Sequence, residues 1–406
     1  MKIIIVAKGT AGDLAPLLAV GSILLPVADQ VVFVSHTVYQ TAVEQSGMRF
    51  VPLDKEGETK SFLQDIVLLN TSGGTPAFFR KHLLPRTMRE YEILCQEIQE
   101  NKTVLFVRHM ATIADLLISE KTGTPVVRLF TAPSQVRAFA YLEALLSIHF
   151  AADLSHVRLL VGLRPELGWP FLLRIPKINV GSWPSFFARA DPEWPVQVLP
   201  IGFLNHDAWE TGPVPPQICA FLEQRPRPVL VSAGSADVQP SKFFAVVGEA
   251  CDLLGRSAIV VTRFHHLTAP ISPLVTHCPY LPFASILEQI SLMVHHGGMG
   301  TIARATEAGI PQLIMAQGGD RPDNAIRLMK LGISRYLPAR EWNRAKVVEA
   351  MEYLIQSEKV SENCSNVARR IRAENKAELL EHVVQRSLAA RLEDSATLSH
   401  GQRQSS

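Results

Sequence analysis

In SLMVHHGGMGTIARATEAG, which runs from Ser291 to Gly309, two histidines and three glycines stand between an apolar stretch and a segment of helical character. Gly297, Gly298 and Gly300 carry no Cβ and tolerate positive φ, so a ligand can come up against bare backbone. The spacing predicts a strand over Leu292–His295 and a helix from Thr301 to about Ala308, closed by Gly309 at C′ with Pro311 beyond it. The free N–H groups and positive pole of such a helix form an anion site, for which a diphosphate is the natural occupant. His296 can donate to the same phosphates, and the Thr301 hydroxyl serves as N-cap or phosphate ligand.

The turn admits other readings. Gly298, Gly300 and Ala303 also spell GxGxxA, with Asp320 about twenty residues on, the pattern of a nicotinamide-dependent oxidoreductase. A plain tight turn whose histidines cap backbone is the structural alternative. A second cluster, KGTAGDLAP from Lys8 to Pro16, follows the first strand and opens the first helix, with Asp13 placed to act as an N-cap. Two such turns, one per domain, lie at the carboxyl ends of their sheets and face one cleft if the domains face each other.

Apolar β-rich runs must position these turns: Ile3–Val6, Val31–Ser35, Thr103–Val107 and Val126–Phe130, then a second series from Val229, Ala258–Thr262, Leu292–His296 and Gln312–Met315. Strands apolar on both faces belong in parallel sheets with helices on each side, and the restart of the alternation predicts two α/β domains. We place an N-terminal domain at 1–210, a linker at 211–228, a C-terminal domain at 229–385 and a polar, disordered tail within 386–406. The linker is assigned from Pro213, Pro215, Pro216, Pro226 and Pro228, which disfavour long regular elements. Between Ser61 and Pro195, Phe62, Phe78, Phe79, Trp169 and Trp183 fit either loops over a pocket or ordinary packing.

At 406 residues the chain is long enough for two domains, and 47% hydrophobic against 19% charged residues is the composition of a globular protein. Forty Lys plus Arg balance thirty-eight Asp plus Glu, which argues against a nucleic-acid partner and leaves anion binding to local geometry. Cys95, Cys219, Cys251, Cys278 and Cys364 lack metal-ligand spacing and read as buried thiols in a reducing cytoplasm. Pro16, Pro26 and Asp29 interrupt the one candidate for a membrane span of ~20 residues, so the expectation is a soluble chain. Oligomeric state is not legible, and a homodimer stays open.

GTAGDLAP, VLVSAGS from Val229, YLPF from Tyr280, HHGGMGT and GGDRPDNAIRL from Gly318 together resemble the GT-B glycosyltransferases of the UDP-glycosyltransferase superfamily, nearest to bacterial macrolide, glycopeptide and rhamnolipid-type enzymes. The resemblance covers most of the chain. It implies an α/β fold of two Rossmann-like domains facing a central cleft, a UDP- or dTDP-linked sugar held mainly by the C-terminal domain, and an acceptor held by the N-terminal one. It puts Tyr280 and Leu281 at the base, and Ser235, His296, Gly298, Gly300 and Thr301 at the diphosphate. Asp320 and Arg321 fall at the sugar, and Thr10 and Gly12 are assigned to the donor as well. Arg321 departs from the family's glutamine, pairing with Asp320 or Asp323 or favouring a carboxylated sugar. Arg304 departs from the ribose-binding glutamate of plant members.

By the same resemblance Asp13 stands where the family places its catalytic base. A carboxylate is a weak base towards an alcohol in the ground state, yet it can take the proton late, once the nucleophile bonds to an oxocarbenium-like carbon. The expected activity is a metal-independent, inverting glycosyl transfer to a hydroxyl of a small lipid or natural product, with no cofactor beyond the nucleotide sugar. The alternatives are the dinucleotide oxidoreductase and a sugar-nucleotide-binding protein that has lost activity. His36, His82 and His109 are left without a role, since a lone histidine is more often structural.

Overall fold

A computed structural model describes residues 1–55, 57–99, 102–108, 113–165, 178–206, 212–234, 241–263 and 272–403. The chain forms two compact units, Met1–Ser185 with Arg189–Leu204 and Asn375–Ser406, and Phe186–Ala188 with Asn205–Glu374.

The first unit is built on seven parallel strands in the order β3-β2-β1-β4-β5-β6-β7: β1 Lys2–Val6, β2 Gln30–Ser35, β3 Arg49–Pro52, β4 Thr103–Arg108, β5 Val126–Phe130, β6 Ile178–Gly181 and β7 Leu199–Pro200. Every residue of β1 is buried, which is why its apolar run shows no alternation. Each of Ile3, Ile4, Ile5 and Val6 contributes about 1.5–3 kcal/mol by leaving water. The helix Ala11–Leu24 lies against the sheet through Leu14, Leu17, Leu18 and Leu24.

The second unit repeats the plan with six parallel strands, β10-β9-β8-β11-β12-β13: β8 Val229–Ser232, β9 Ala258–Val261, β10 Val275–Cys278, β11 Leu292–His295, β12 Gln312–Ile314 and β13 Ser334–Tyr336. In both units the strand order reverses beside the first strand, between β1 and β4 and between β8 and β11. Ligands of open parallel sheets bind outside the carboxyl ends of the strands at such a reversal.

The expected strands are present, and β3, β6, β7, β10 and β13, short and sparse in apolar residues, are additional. The proline-rich stretch is more ordered than its composition suggests. Pro215 is the N-cap and Pro216 the first residue of a helix, Pro216–Gln224, whose Ile218 and Leu222 enter the core of the second unit. Proline fits the first turn of a helix because its missing N–H has no intrahelical partner there. The segment placed at the end of the C-terminal domain and in the tail forms one helix, Lys376–Arg403, which buries Leu380, Val383, Val384 and Ser387 and touches the helix Ala11–Leu24, β4 and β5, so residues from Asn375 on belong to the first unit and not to the second. Cys251, Cys278 and Cys364 are buried as expected, whereas Cys95 and Cys219 are exposed. Phe62, Phe78, Phe79 and Trp183 are core residues, and Trp169 lies outside the described residues. No helix among the described residues is long and apolar enough to cross a membrane.

Candidate active site

At the reversal point of the second sheet, β11 ends at His295 and the chain turns through His296, Gly297 and Gly298 into the helix Met299–Glu307. The helix begins two residues earlier than its apolar spacing suggests. Gly298, extended at φ −69° and ψ 139°, is the N-cap, so Thr301 sits in the first turn and is not the cap. The first helical bond runs from Ile302 N–H to the Gly298 carbonyl, which leaves the amides of Met299, Gly300 and Thr301 without partners among the described residues. These amides and the helix pole form the expected anion site. A Cβ on Gly300 would meet nothing within 4 Å, so its face of the turn is open. Gly309, at φ 72°, closes the helix as expected.

Only Gly297 needs its positive φ, 92°. Its amide, though, is unavailable to a ligand because it donates to His295 Nδ1 at 3.1 Å. That bond fixes the tautomer: His295 Nε2 donates to Gln312 Oε1 at 3.0 Å, Gln312 Nε2 to Thr306 Oγ1 at 2.9 Å, and the Thr306 hydroxyl to the Ile302 carbonyl at 2.6 Å. A buried polar chain thus ties the turn to β12 and to the helix it opens. Burial pushes the His295 imidazole down to about 4, with Gln312 opposing, and keeps it neutral.

His296, the second histidine of the turn, takes a different environment. Its ring is wedged between two glycines: a Cβ on Gly298 would lie 2.5 Å from His296 Nε2, and one on Gly234, which follows β8, 2.7 Å from Cε1. Its Nδ1 is buried and makes no hydrogen bond among the described residues. Burial, then Arg321, then His295 lower its pKa to about 3, while the Ser232 backbone opposes. His296 is therefore a neutral imidazole near pH 7, able to give one N–H to a phosphate oxygen and poised to accept a proton once a dianion sits beside it.

The helix Arg321–Lys330 meets the same turn. Asn324 is fully buried, and its amide is shared between the Gly297 carbonyl at 3.2 Å and Asp320 Oδ2 at 2.9 Å. The expected pairing of Arg321 with Asp320 or Asp323 does not form: Asp320 is turned to Asn324, and Asp323 is held by Arg327 at 2.7 Å. The residue one turn on takes Asp323 because i,i+4 neighbours share a helix face. The Arg321 backbone and Cβ lie against Gly297, and its guanidinium reaches only the Gln317 carbonyl, at 3.4 Å. Arg304 donates to the His206 carbonyl at 3.0 Å. Tyr280 is 45% exposed, whereas the Leu281 side chain is core and has only backbone to offer. Ser235 lies outside the described residues.

The first unit carries a comparable turn at its own reversal point. Thr10, and not Asp13, is the N-cap of the helix Ala11–Leu24. Asp13 stands three residues into it and reaches back: Oδ2 accepts from the Thr10 amide at 2.8 Å and the Thr10 hydroxyl at 3.1 Å. Its Oδ1 accepts from Arg108, the last residue of β4, at 2.9 Å. Gly12 is exposed, and the amides of Ala11 and Gly12 have no partners among the described residues. The turn is anchored from below. Tyr39 donates to the Gly9 carbonyl at 2.9 Å, and Lys8 forms a buried ion pair with Glu90 of the helix Thr87–Glu97. Of the unassigned histidines, His36 is buried beside Phe62, His82 bonds Asp65 at 2.8 Å, and His109 is outside the described residues.

Residues that the sequence did not single out are the supports: His295, Gln312, Thr306 and Asn324 in the second unit, Arg108, Lys8 and Glu90 in the first. A charge at the very end of an apolar strand, as at Arg108, is the local signal that was there to be read.

These sheets and turns define a class. The solved structure of the glycotransferase of kitacinnamycin has the same fold, with a TM-score of 0.70 at 21% identity over 95% of this chain and 98% of that one. Residues 249–388 match the family model described as erythromycin biosynthesis protein CIII-like, C-terminal domain. The sterol 3-beta-glucosyltransferase UGT80A2 of Arabidopsis thaliana is 22% identical over 419 residues, covering 92% of this chain and 64% of the relative. The sterol 3-beta-glucosyltransferase of Pichia angusta is 24% identical over 412 residues, 90% of this chain and 32% of the relative. The chain spans between 16% and 64% of the length of the first curated relatives it matches. The protein has the GT-B fold, and its C-terminal half is similar to a family of glycosyltransferase domains.

Proposed function

We propose that the chain transfers a sugar, with inversion, from a UDP- or dTDP-linked donor to a hydroxyl of a small lipid or natural product. The observation that carries this reading is the turn after β11, where the free amides of Met299, Gly300 and Thr301 and the neutral His296 converge on an open face at the reversal point of the sheet. The relatives' names, sterol glucosyltransferases and an erythromycin biosynthesis protein, support an apolar hydroxylated acceptor.

In this reading the diphosphate sits on those amides and on His296, the base lies over Tyr280, and Asp320 and Arg321 face the sugar. The acceptor oxygen bonds to the anomeric carbon as the bond from that carbon to the phosphate oxygen breaks. Its electron pair goes to the departing diphosphate, whose charge is met by the helix pole and His296. No metal has a step in this reading. The acceptor proton goes to Asp13, whose oxygens keep lone pairs beyond those used by Thr10 and Arg108. One base and one displacement invert the anomeric centre.

Magnitudes divide the work. A general base supplies roughly 3 to 5 kcal/mol and the helix pole about 1 kcal/mol. A total of about 8 kcal/mol or more is required, so alignment of donor and acceptor must supply the rest. The test is incubation of the purified chain with UDP- and dTDP-sugars and a set of sterol, macrolide and hydroxy-lipid acceptors, read by product mass. A new mass equal to acceptor plus glycosyl residue, with the opposite anomeric configuration by NMR, is the expected result. Binding of nucleotide with no product under any pairing would reduce the chain to a sugar-nucleotide-binding protein.

A further inference from the structure

Arg321 is a half-buried guanidinium with no carboxylate partner within 4.0 Å among the described residues, although Asp320 and Asp323 lie beside it in sequence. Its one hydrogen bond among the described residues, to the Gln317 carbonyl at 3.4 Å, is at the limit of bonding distance. The stem is pinned, because the Arg321 Cβ and carbonyl would lie 3.2 Å from a Cβ on Gly297, so the head is carried by the same turn as His296. Burial pushes its pKa down and Asp320 pulls it back, so the charged form pays for its desolvation without an ion pair to offset it. A planar fork held this way is complementary to a pair of anionic oxygens.

We infer that Arg321 binds an anionic group of the donor, either a carboxylate on the transferred sugar or an oxygen of the diphosphate, and thereby sets the charge class of donor the chain accepts. This rests on the proposed glycosyl transfer. Two neighbours favour the assignment. Asn324 holds Asp320 Oδ2, and Arg327 holds Asp323, so among the described residues neither carboxylate pairs with the guanidinium.

The experiment is isothermal titration of the wild-type chain, R321Q and R321K with UDP, dTDP, UDP-glucose and UDP-glucuronic acid. A charge-assisted pair predicts a loss in R321Q of about 10- to 100-fold. If the sugar carboxylate is the partner, the loss falls on UDP-glucuronic acid, and UDP-glucose changes less than about threefold, which is within the worth of a neutral contact. If the diphosphate is the partner, all nucleotides that bind lose affinity by the same factor. In either case R321K recovers part of the loss, since a lysine keeps the charge without the fork. Should R321Q melt early, R321K decides alone: a several-fold weakening supports the assignment, and wild-type affinity for every nucleotide overturns it. Equal affinities in wild type and R321Q likewise overturn this inference and leave the glycosyl-transfer reading standing. A wild-type chain that binds neither UDP nor dTDP removes both.

Discussion

Arg108, the last residue of β4, and Asp13, on the helix that follows β1, are 2.9 Å apart and span the point where the first sheet reverses its strand order. The carboxylate proposed as the base is thereby held on one oxygen by a guanidinium and on the other by the Thr10 amide. Such a group is oriented on both of its oxygens.

Replacing Asp13 by Asn separates its two duties. Asparagine keeps an oxygen for the Thr10 amide, so the melting temperature should fall by no more than the fraction of a kcal/mol to about 1 kcal/mol that a cap is worth. As a base it is inert, and the transfer rate should drop about 10²- to 10⁴-fold with nucleotide affinity unchanged. Initial rates by product mass, calorimetric melting and a UDP titration check the three quantities. An unchanged rate removes Asp13 from proton transfer.

Gly300 offers a cleaner probe of the anion site. A Cβ there touches no protein atom within 4 Å, so Gly300→Ala should be neutral or stabilise the helix by up to about 1 kcal/mol. Where a diphosphate packs on that face, the same methyl displaces it, and affinity for UDP or dTDP should fall about tenfold or more. Equal affinity in the two proteins would put the phosphates elsewhere. Gly298→Ala is the less informative change, because its Cβ strikes His296 first.

The buried His295 makes stability depend on pH. Its pKa, lowered to about 4 in the fold, stands near 6.5 in the unfolded chain, so below that value the unfolded state binds a proton that the folded state refuses. Stability is fully present above about pH 6.5 and is lost as pH falls towards about 4, by about 3 kcal/mol in all. His295→Asn should lower stability at pH 7 by about 1 to 3 kcal/mol, through the orphaned Gly297 amide and Gln312, and should flatten the acid slope. Urea unfolding between pH 4 and pH 8 measures both. A slope identical in the two proteins would assign the acid sensitivity to other groups.

The amino-acid sequence by itself determined eight of the strands, the two glycine turns and the class of ligand they suit. β1, β2, β4, β5, β8, β9, β11 and β12 are apolar along their length because both faces are covered, and that leaves a run any reader can find. Gly297 and Gly309 are legible because few residues take their positive φ, and Tyr280, His296 and Gly300 because they stand in motifs of fixed spacing. What only the tertiary structure decided depends on residues far apart in the chain or on the exact start of a helix. Thr10 and Gly298 became the caps, in place of Asp13 and Thr301, since a cap is chosen by backbone angles that residue type alone does not fix. The Asp13–Arg108 pair, the link from His295 through Gln312 to Thr306, and the Lys8–Glu90 pair all join separate segments that meet only when the sheets form. The end of the segment read as part of the C-terminal domain belongs to the first unit because Leu380, Val383 and Val384 find apolar cover there, a partner invisible from their own stretch of sequence.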